Sequence, residues 1–221
     1  MNRILALGVL LVALAAGGLY WVTRPSALPS LSMAAEAQEV TEEQLAMVPD
    51  MVMGEADAPV TVLEYASYTC PHCATFHEQV LPQLKADYVD TGKVRYVYRE
   101  VYFDRYGLWA ALIARCTAST ERYFAVADML YEGQKDWIGD GQPQTVANNL
   151  RRLGLAAGLG QDQLEACLND TEMAQAMVAA YQKNATADGI TATPSLVIDG
   201  ELYSNRPYDE IKAIIDEQLA E

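Results

Sequence analysis

The stretch Val60-Thr61-Val62-Leu63-Glu64-Tyr65-Ala66-Ser67-Tyr68-Thr69-Cys70-Pro71-His72-Cys73 decides how the rest of the chain is read. Its first seven residues are rich in β-branched and aromatic side chains, as a strand requires. Ser67-Tyr68-Thr69 makes a short turn. Beyond it, apolar side chains recur at Cys73, Phe76, Val80, Leu81, Leu84 and Tyr88, which is helical spacing. Cys70 therefore falls at the N-cap of a helix. Pro71 falls in its first turn, where a missing N–H does no harm. One turn separates the two cysteines, so they can close into a disulfide with little backbone movement.

This placement has a chemical consequence. Unpaired backbone N–H groups and the positive end of the helix dipole face the Cys70 sulfur and favour thiolate over thiol. A protonated His72 adds a second positive charge. A thiol of ordinary pKa about 8.5 falls by several units in such a site, and each unit is worth roughly 1.4 kcal/mol. Only the reduced form holds a thiolate, so this preference makes the disulfide form a strong oxidant. Cys73, one turn deeper, suits the resolving role. A C-x-x-C also serves as a plain stabilising disulfide or as half a zinc site. The zinc reading needs two more ligands, and the chain offers His72, His77 and the distant Cys116 and Cys167. Haem attachment needs a histidine where Ala74 stands.

The 221 residues are 51% hydrophobic, enough for one domain with a sizeable core. A formal charge of −15 argues against binding nucleic acid. Ile4 to Val22 is an uncharged apolar run behind Arg3, close to the roughly 20 residues that span a bilayer. After Arg24 the next basic residue is Lys85, with Glu36, Glu39, Glu42, Glu43 and Asp50 among the acids between. A positive start and an acidic far side predict export of the body of the chain. Residues 1–24 are expected to be a membrane anchor, or a signal peptide cleaved at Ala35-Glu36-Ala37. Residues 25–50 read as a linker, with a capping box at Thr41-Glu42-Glu43-Gln44 opening a short helix. Met51-Val52-Met53 reads as a short edge strand or as an ordered connection.

Downstream, Pro82 is expected to kink the helix near residue 78. Lys93 to Glu100 is a second strand, parallel to the first. From 104 to 188 apolar stripes mark a helical bundle: Leu108, Trp109, Leu112, Ile113 and Cys116, then Tyr123, Phe124, Ala127, Leu130 and Tyr131, with shorter ones after. If Cys70 and Cys73 pair, Cys116 and Cys167 remain for each other, stapling the first helix of the bundle to the fourth; as free thiols they would serve as small hydrophobes. Ser195 to Ile198, the turn Asp199-Gly200, Glu201 to Tyr203 and a helix from Pro207 to Leu219 close the chain. Thr193-Pro194 precedes the third strand, where a cis bond is possible.

Strand, C-x-x-C helix, strand, helical insertion, Thr-Pro, hairpin, helix: the order resembles an α/β thioredoxin fold (β-α-β … β-β-α) carrying an inserted helical bundle. Pro59 to Tyr65, Cys70-Pro71-His72-Cys73, Val80-Leu81-Pro82-Gln83-Leu84, Thr91 to Arg95 and Thr193-Pro194-Ser195 are similar to the DsbA family of exported thiol–disulfide oxidoreductases. The resemblance implies a thioredoxin-fold domain over 51–103 and 189–221 and an insertion over 104–188. It implies Cys70 as nucleophile, Cys73 as resolving cysteine, His72 as the residue that tunes the thiolate, Pro71 as part of the catalytic motif, and Pro194 as a cis-proline facing the dithiol. Glu64 matches an acidic residue that moves protons near the buried cysteine; the alternative is a carboxylate at a solvated edge. Thr193 stands where the best-known oxidases carry valine, and threonine there also occurs in isomerases. The expected activity is disulfide donation to unfolded exported proteins with free thiols. It needs no cofactor and is renewed by a DsbB-like membrane reoxidase. The expected state is a monomer on the periplasmic side of the inner membrane. A reductase or isomerase and a thiol-based metal chaperone are the alternatives.

Overall fold

The computed structural model describes residues 41–220. The anchor or signal peptide expected over 1–24, its cleavage site and the first part of the linker lie outside them. Among the described residues no helix is long and apolar enough to cross a membrane.

Thr41 caps α1 (Glu42–Ala46) through the capping box with Gln44. β1 (Met51–Met53), β2 (Val60–Ala66) and β3 (Val94–Glu100) follow, then β4 (Ser195–Ile198) and β5 (Glu201–Ser204). The sheet order is β1-β3-β2-β4-β5. β2 and β3 run parallel, from Val60↔Val94 to Ala66↔Glu100, while β1–β3, β2–β4 and β4–β5 are antiparallel. β2 is thus central, with Val60, Val62, Glu64, Tyr65 and Ala66 buried. The β4–β5 turn uses positive φ at Asp199 (44°) and Gly200 (91°), the backbone that twists with a hairpin. Asp199 also accepts the Thr61 N–H at 2.8 Å, fixing the turn to β2.

Cys70 is the N-cap of α2 (Pro71–Gln79). The expected kink near residue 78 falls instead at Val80 (φ −104°, ψ −53°), after which α3 (Leu81–Leu84) starts afresh with Pro82 in its first turn. A proline there needs no N–H partner, so the break moves to where the ring is tolerated. A π-helical turn, Lys85–Val89, carries the chain to β3.

The insertion holds α4 (Arg105–Arg115), α5 (Thr120–Glu132), α6 (Gln134–Ile138), α7 (Pro143–Ala156), α8 (Gln161–Leu168) and α9 (Thr171–Ala187); α10 (Tyr208–Gln218) closes the chain. Tyr96 and Tyr98 of β3 pack on Phe124, and Tyr68 packs on Tyr131. Sheet and insertion therefore share one core. Residues 41–50, read as linker, are ordered into it: Val48 packs on the core, and Asp50 takes two hydrogen bonds from Arg99 at 2.7 and 2.9 Å. A disulfide joins Cys116, at the end of α4, to Cys167 in α8, with Cα atoms 5.9 Å apart. The short α6 makes α8 the fifth helix of the insertion, where the stripes suggested the fourth.

Candidate active site

The turn from β2 into α2 is held from three sides. Cys70 N–H donates to Ser67 O at 3.0 Å, and Ala74 N–H to Cys70 O at 3.2 Å. The Thr69 hydroxyl donates to Asp104 at 2.7 Å, and Asp104 caps α4 by accepting from Tyr106 and Gly107 N–H. Gly107 allows that approach: a Cβ there would lie 3.3 Å from the Ser67 hydroxyl. From the insertion, buried Gln134 donates its side-chain amide to Tyr68 O at 2.8 Å and Cys70 O at 3.0 Å.

Cys70 and Cys73 are present as thiols, Cys70 partly exposed and Cys73 buried. Their environments push them apart. The Cys70 midpoint is lowered to about 5: the Cys73 S–H contributes most, burial works against it, and the Thr193 hydroxyl and the Cys73 and His72 N–H groups add to the lowering. The helix N-terminus thus acts as expected. His72 contributes through its backbone N–H, and its side chain is exposed. Burial pushes the Cys73 thiol far up, helped by Cys70 and by the charge of Glu64.

Thr193-Pro194 is a cis peptide. The Cys70 thiol donates to Thr193 O at 3.5 Å, so the cis-proline loop faces the dithiol. The buried Thr193 hydroxyl has no fixed partner and is free to serve the thiolate. Glu64 is completely buried, so the solvated-edge alternative is wrong. Its Oε2 accepts from Tyr96 and lies 3.2 Å from His77 Nε2, while Oε1 has no partner.

The structure thus brings Glu64, Cys70, Pro71, His72, Cys73, Thr193 and Pro194 together. Cys116 and Cys167 belong to the insertion and join them at no point. Two residues of the site were not read from the sequence. Gln134 lies sixty-four positions from Cys70 and carries no local signal. His77 was weighed only as a metal ligand; its spacing of four from Cys73 places both on one helical face, which was a usable sign.

A cis-proline opposite a helix-capping C-x-x-C, on this sheet order, defines the dithiol site of a thioredoxin fold. The thioredoxin family model matches residues 46–217. Wolbachia pipientis alpha-DsbA1 superposes with a TM-score of 0.69 at 29% identity, covering 78% of this chain and 92% of that one. BdbD of Bacillus subtilis does so at 0.69 and 26%, covering 78% and 94%. In sequence, a candidate protein-disulfide oxidoreductase of Rickettsia bellii is 31% identical over 78% of this chain. Disulfide bond formation protein D of Bacillus subtilis is 28% identical over 76% of each chain. The chain spans 65% of the length of the Rickettsia bellii relative and 61% of that from Rickettsia conorii. It belongs to the thioredoxin family, as a DsbA-like member with its dithiol at Cys70 and Cys73.

Proposed function

We propose that this protein is a thiol–disulfide oxidoreductase that works outside the cytoplasm and donates the Cys70–Cys73 disulfide to unfolded exported proteins. The observation that carries this reading is the asymmetry of the two sulfurs, Cys70 accessible with a midpoint of about 5 and Cys73 buried and held protonated. A substrate thiolate attacks Cys70 Sγ, and the Cys70–Cys73 bond breaks. Cys73 leaves as a thiolate and takes a proton. A second substrate thiolate then attacks the substrate sulfur bound to Cys70, expelling the Cys70 thiolate. The substrate loses two electrons and the dithiol gains them. Cys70 is a good leaving group because its thiolate is stabilised. Thr193 and Pro194 line the approach to it, and Glu64 exchanges the Cys73 proton. A DsbB-like membrane reoxidase renews the disulfide.

The test is to mix the oxidised full chain with a reduced, unfolded protein and follow disulfide formation. Exchange is expected with the native chain and none with Cys70→Ser; retained exchange in that variant refutes the assignment. Equilibration with glutathione fixes the direction. A potential near about −120 mV supports donation, and one near about −270 mV makes the protein a reductase.

A further inference from the structure

One buried side chain next to the dithiol has no part in the steps above. His77 is 7% exposed and sits one turn beyond Cys73 on α2. Its ring lies 4.1 Å from Tyr131 and meets Tyr98 edge-on at 5.6 Å, so its orientation is fixed. Nε2 is engaged with Glu64 at 3.2 Å, while Nδ1 is buried without a partner. A buried ring nitrogen without a partner is costly and calls for a reason. The same residue lines a cleft of about 630 Å³ between α2, α5 and α6, beside Glu78, Asp128, Glu132 and Lys135. His77 also acts on the outer wall: the Asp128 carboxyl is raised by its surroundings and drawn back down by His77. His77 thus touches Glu64 on one side and a cleft with exposed carboxylates on the other.

The chemistry requires such a link. Cys73 must gain a proton each time the disulfide is donated and lose it each time the disulfide is restored, yet it is fully buried. Glu64, equally buried, needs a route to water of its own. We infer that His77 carries the proton between the cleft and Glu64, acting on Cys73 through that carboxylate. The inference rests on the reading of Cys70–Cys73 as a redox centre.

During donation a proton enters at Nδ1, Nε2–H passes its proton to Glu64, and Glu64 protonates the Cys73 thiolate. During reoxidation the Cys73 thiol gives its proton to Glu64, Nε2 takes it, and Nδ1 releases one to the cleft. The two halves of the cycle move the proton in opposite directions, so each restores the tautomer the other needs. No ring flip is required, which suits an imidazole clamped between two tyrosines.

An aromatic disulfide with a coloured thiolate separates the steps in the reduced full chain. The Cys70 thiolate attacks it and releases one aromatic thiolate. Cys73 then loses its proton and attacks Cys70 Sγ, releasing the second; the dithiol is oxidised and the probe reduced. In His77→Gln the amide still donates to Glu64 but relays no proton. The first release should be unchanged and the second about 100-fold slower, the scale of a lost acid–base group. His77→Ala should show the same slow second phase, accelerated at least tenfold, as an order-of-magnitude expectation, by added imidazole. A second phase of native speed in His77→Gln overturns the inference, as do equal slowing of both phases and imidazole acceleration equal to that of the native chain. If the His77 variants do not fold, exposed Asp128→Asn decides, by a slowed or an unchanged second phase. If the native chain itself releases only one aromatic thiolate, the redox reading fails, and not the relay.

Discussion

The thiolate at Cys70 depends on its neighbour, and Cys73→Ala tests how strongly. The Cys70 midpoint of about 5 owes more to the Cys73 S–H than to any other group. A hydrogen bond to a charged acceptor is worth about 1.5–3 kcal/mol, which is roughly 1–2 pH units. Removing the donor should therefore move the midpoint from about 5 to roughly 6–7. At pH 6 the native site is about nine-tenths thiolate, and the alanine variant would be roughly one-tenth to one-half. The assay is the ultraviolet absorbance of the thiolate against pH, checked by the rate of alkylation at pH 6. Cys73→Ser keeps an O–H donor in nearly the same place, so its midpoint should stay close to the native one. An alanine midpoint within a few tenths of a unit of native would show that the backbone N–H groups suffice. A serine midpoint moved as far as alanine's would show that the change acts through packing. Either result refutes the reasoning.

Because the folded Cys70 midpoint lies below that of an unfolded thiol, its contribution stabilises the reduced fold fully above about pH 8.5 and is lost as pH falls through about 5. Urea melts of the reduced and oxidised chain should therefore converge between pH 7 and pH 4. Gln134→Ala removes both bonds to the Tyr68 and Cys70 carbonyls and should cost about 1–3 kcal/mol in urea melts, with faster amide exchange confined to the turn before α2. Arg115 donates to both oxygens of Glu100 at 2.8 and 2.6 Å, and both side chains are buried. Arg115→Met should cost about 3–5 kcal/mol by stranding the carboxylate, and adding Glu100→Leu should recover much of it. Cys116→Ala with Cys167→Ala opens a loop of 51 residues and should cost about 4 kcal/mol in the oxidised chain, without moving the Cys70 midpoint.

The contrast between what the sequence announced and what it withheld has a physical basis. β2, the Cys70 cap and the Asp199-Gly200 hairpin are set by residues within a few positions of one another, so periodicity and turn chemistry expose them. The break at Val80 was nearly legible, since Pro82 signals a disruption, but packing chooses which bond is given up. The buried polar network had no such signal. Tyr68 donates to Tyr123 at 3.0 Å, Tyr123 to Glu100 at 2.7 Å, and Tyr98 meets Tyr131 at 2.7 Å, all across separations of twenty-three residues or more. In sequence Tyr123 and Tyr131 read as ordinary apolar stripe residues, Tyr98 as a strand residue and Tyr68 as part of a turn. Only the fold shows that their hydroxyls are paired, as a buried hydroxyl must be.

The two sulfurs divide along the same line. What makes Cys70 reactive is mostly local: a helix N-terminus, a proline that fits its first turn, and a thiol one turn away. The chain segment around it therefore displays its chemistry openly. What sets the state of Cys73 is assembled from distant parts: burial under the insertion and the charge of Glu64 on β2, with His77 on α2 as the proposed route for its proton. A buried thiol held far above its ordinary range is inert as a nucleophile unless its proton can leave. The insertion supplies the wall that buries this sulfur and also lines the cleft beside His77. On this structure the helical insertion is part of the redox site, and disturbing it at Gln134 or Asp128 should alter how the dithiol works without touching either sulfur.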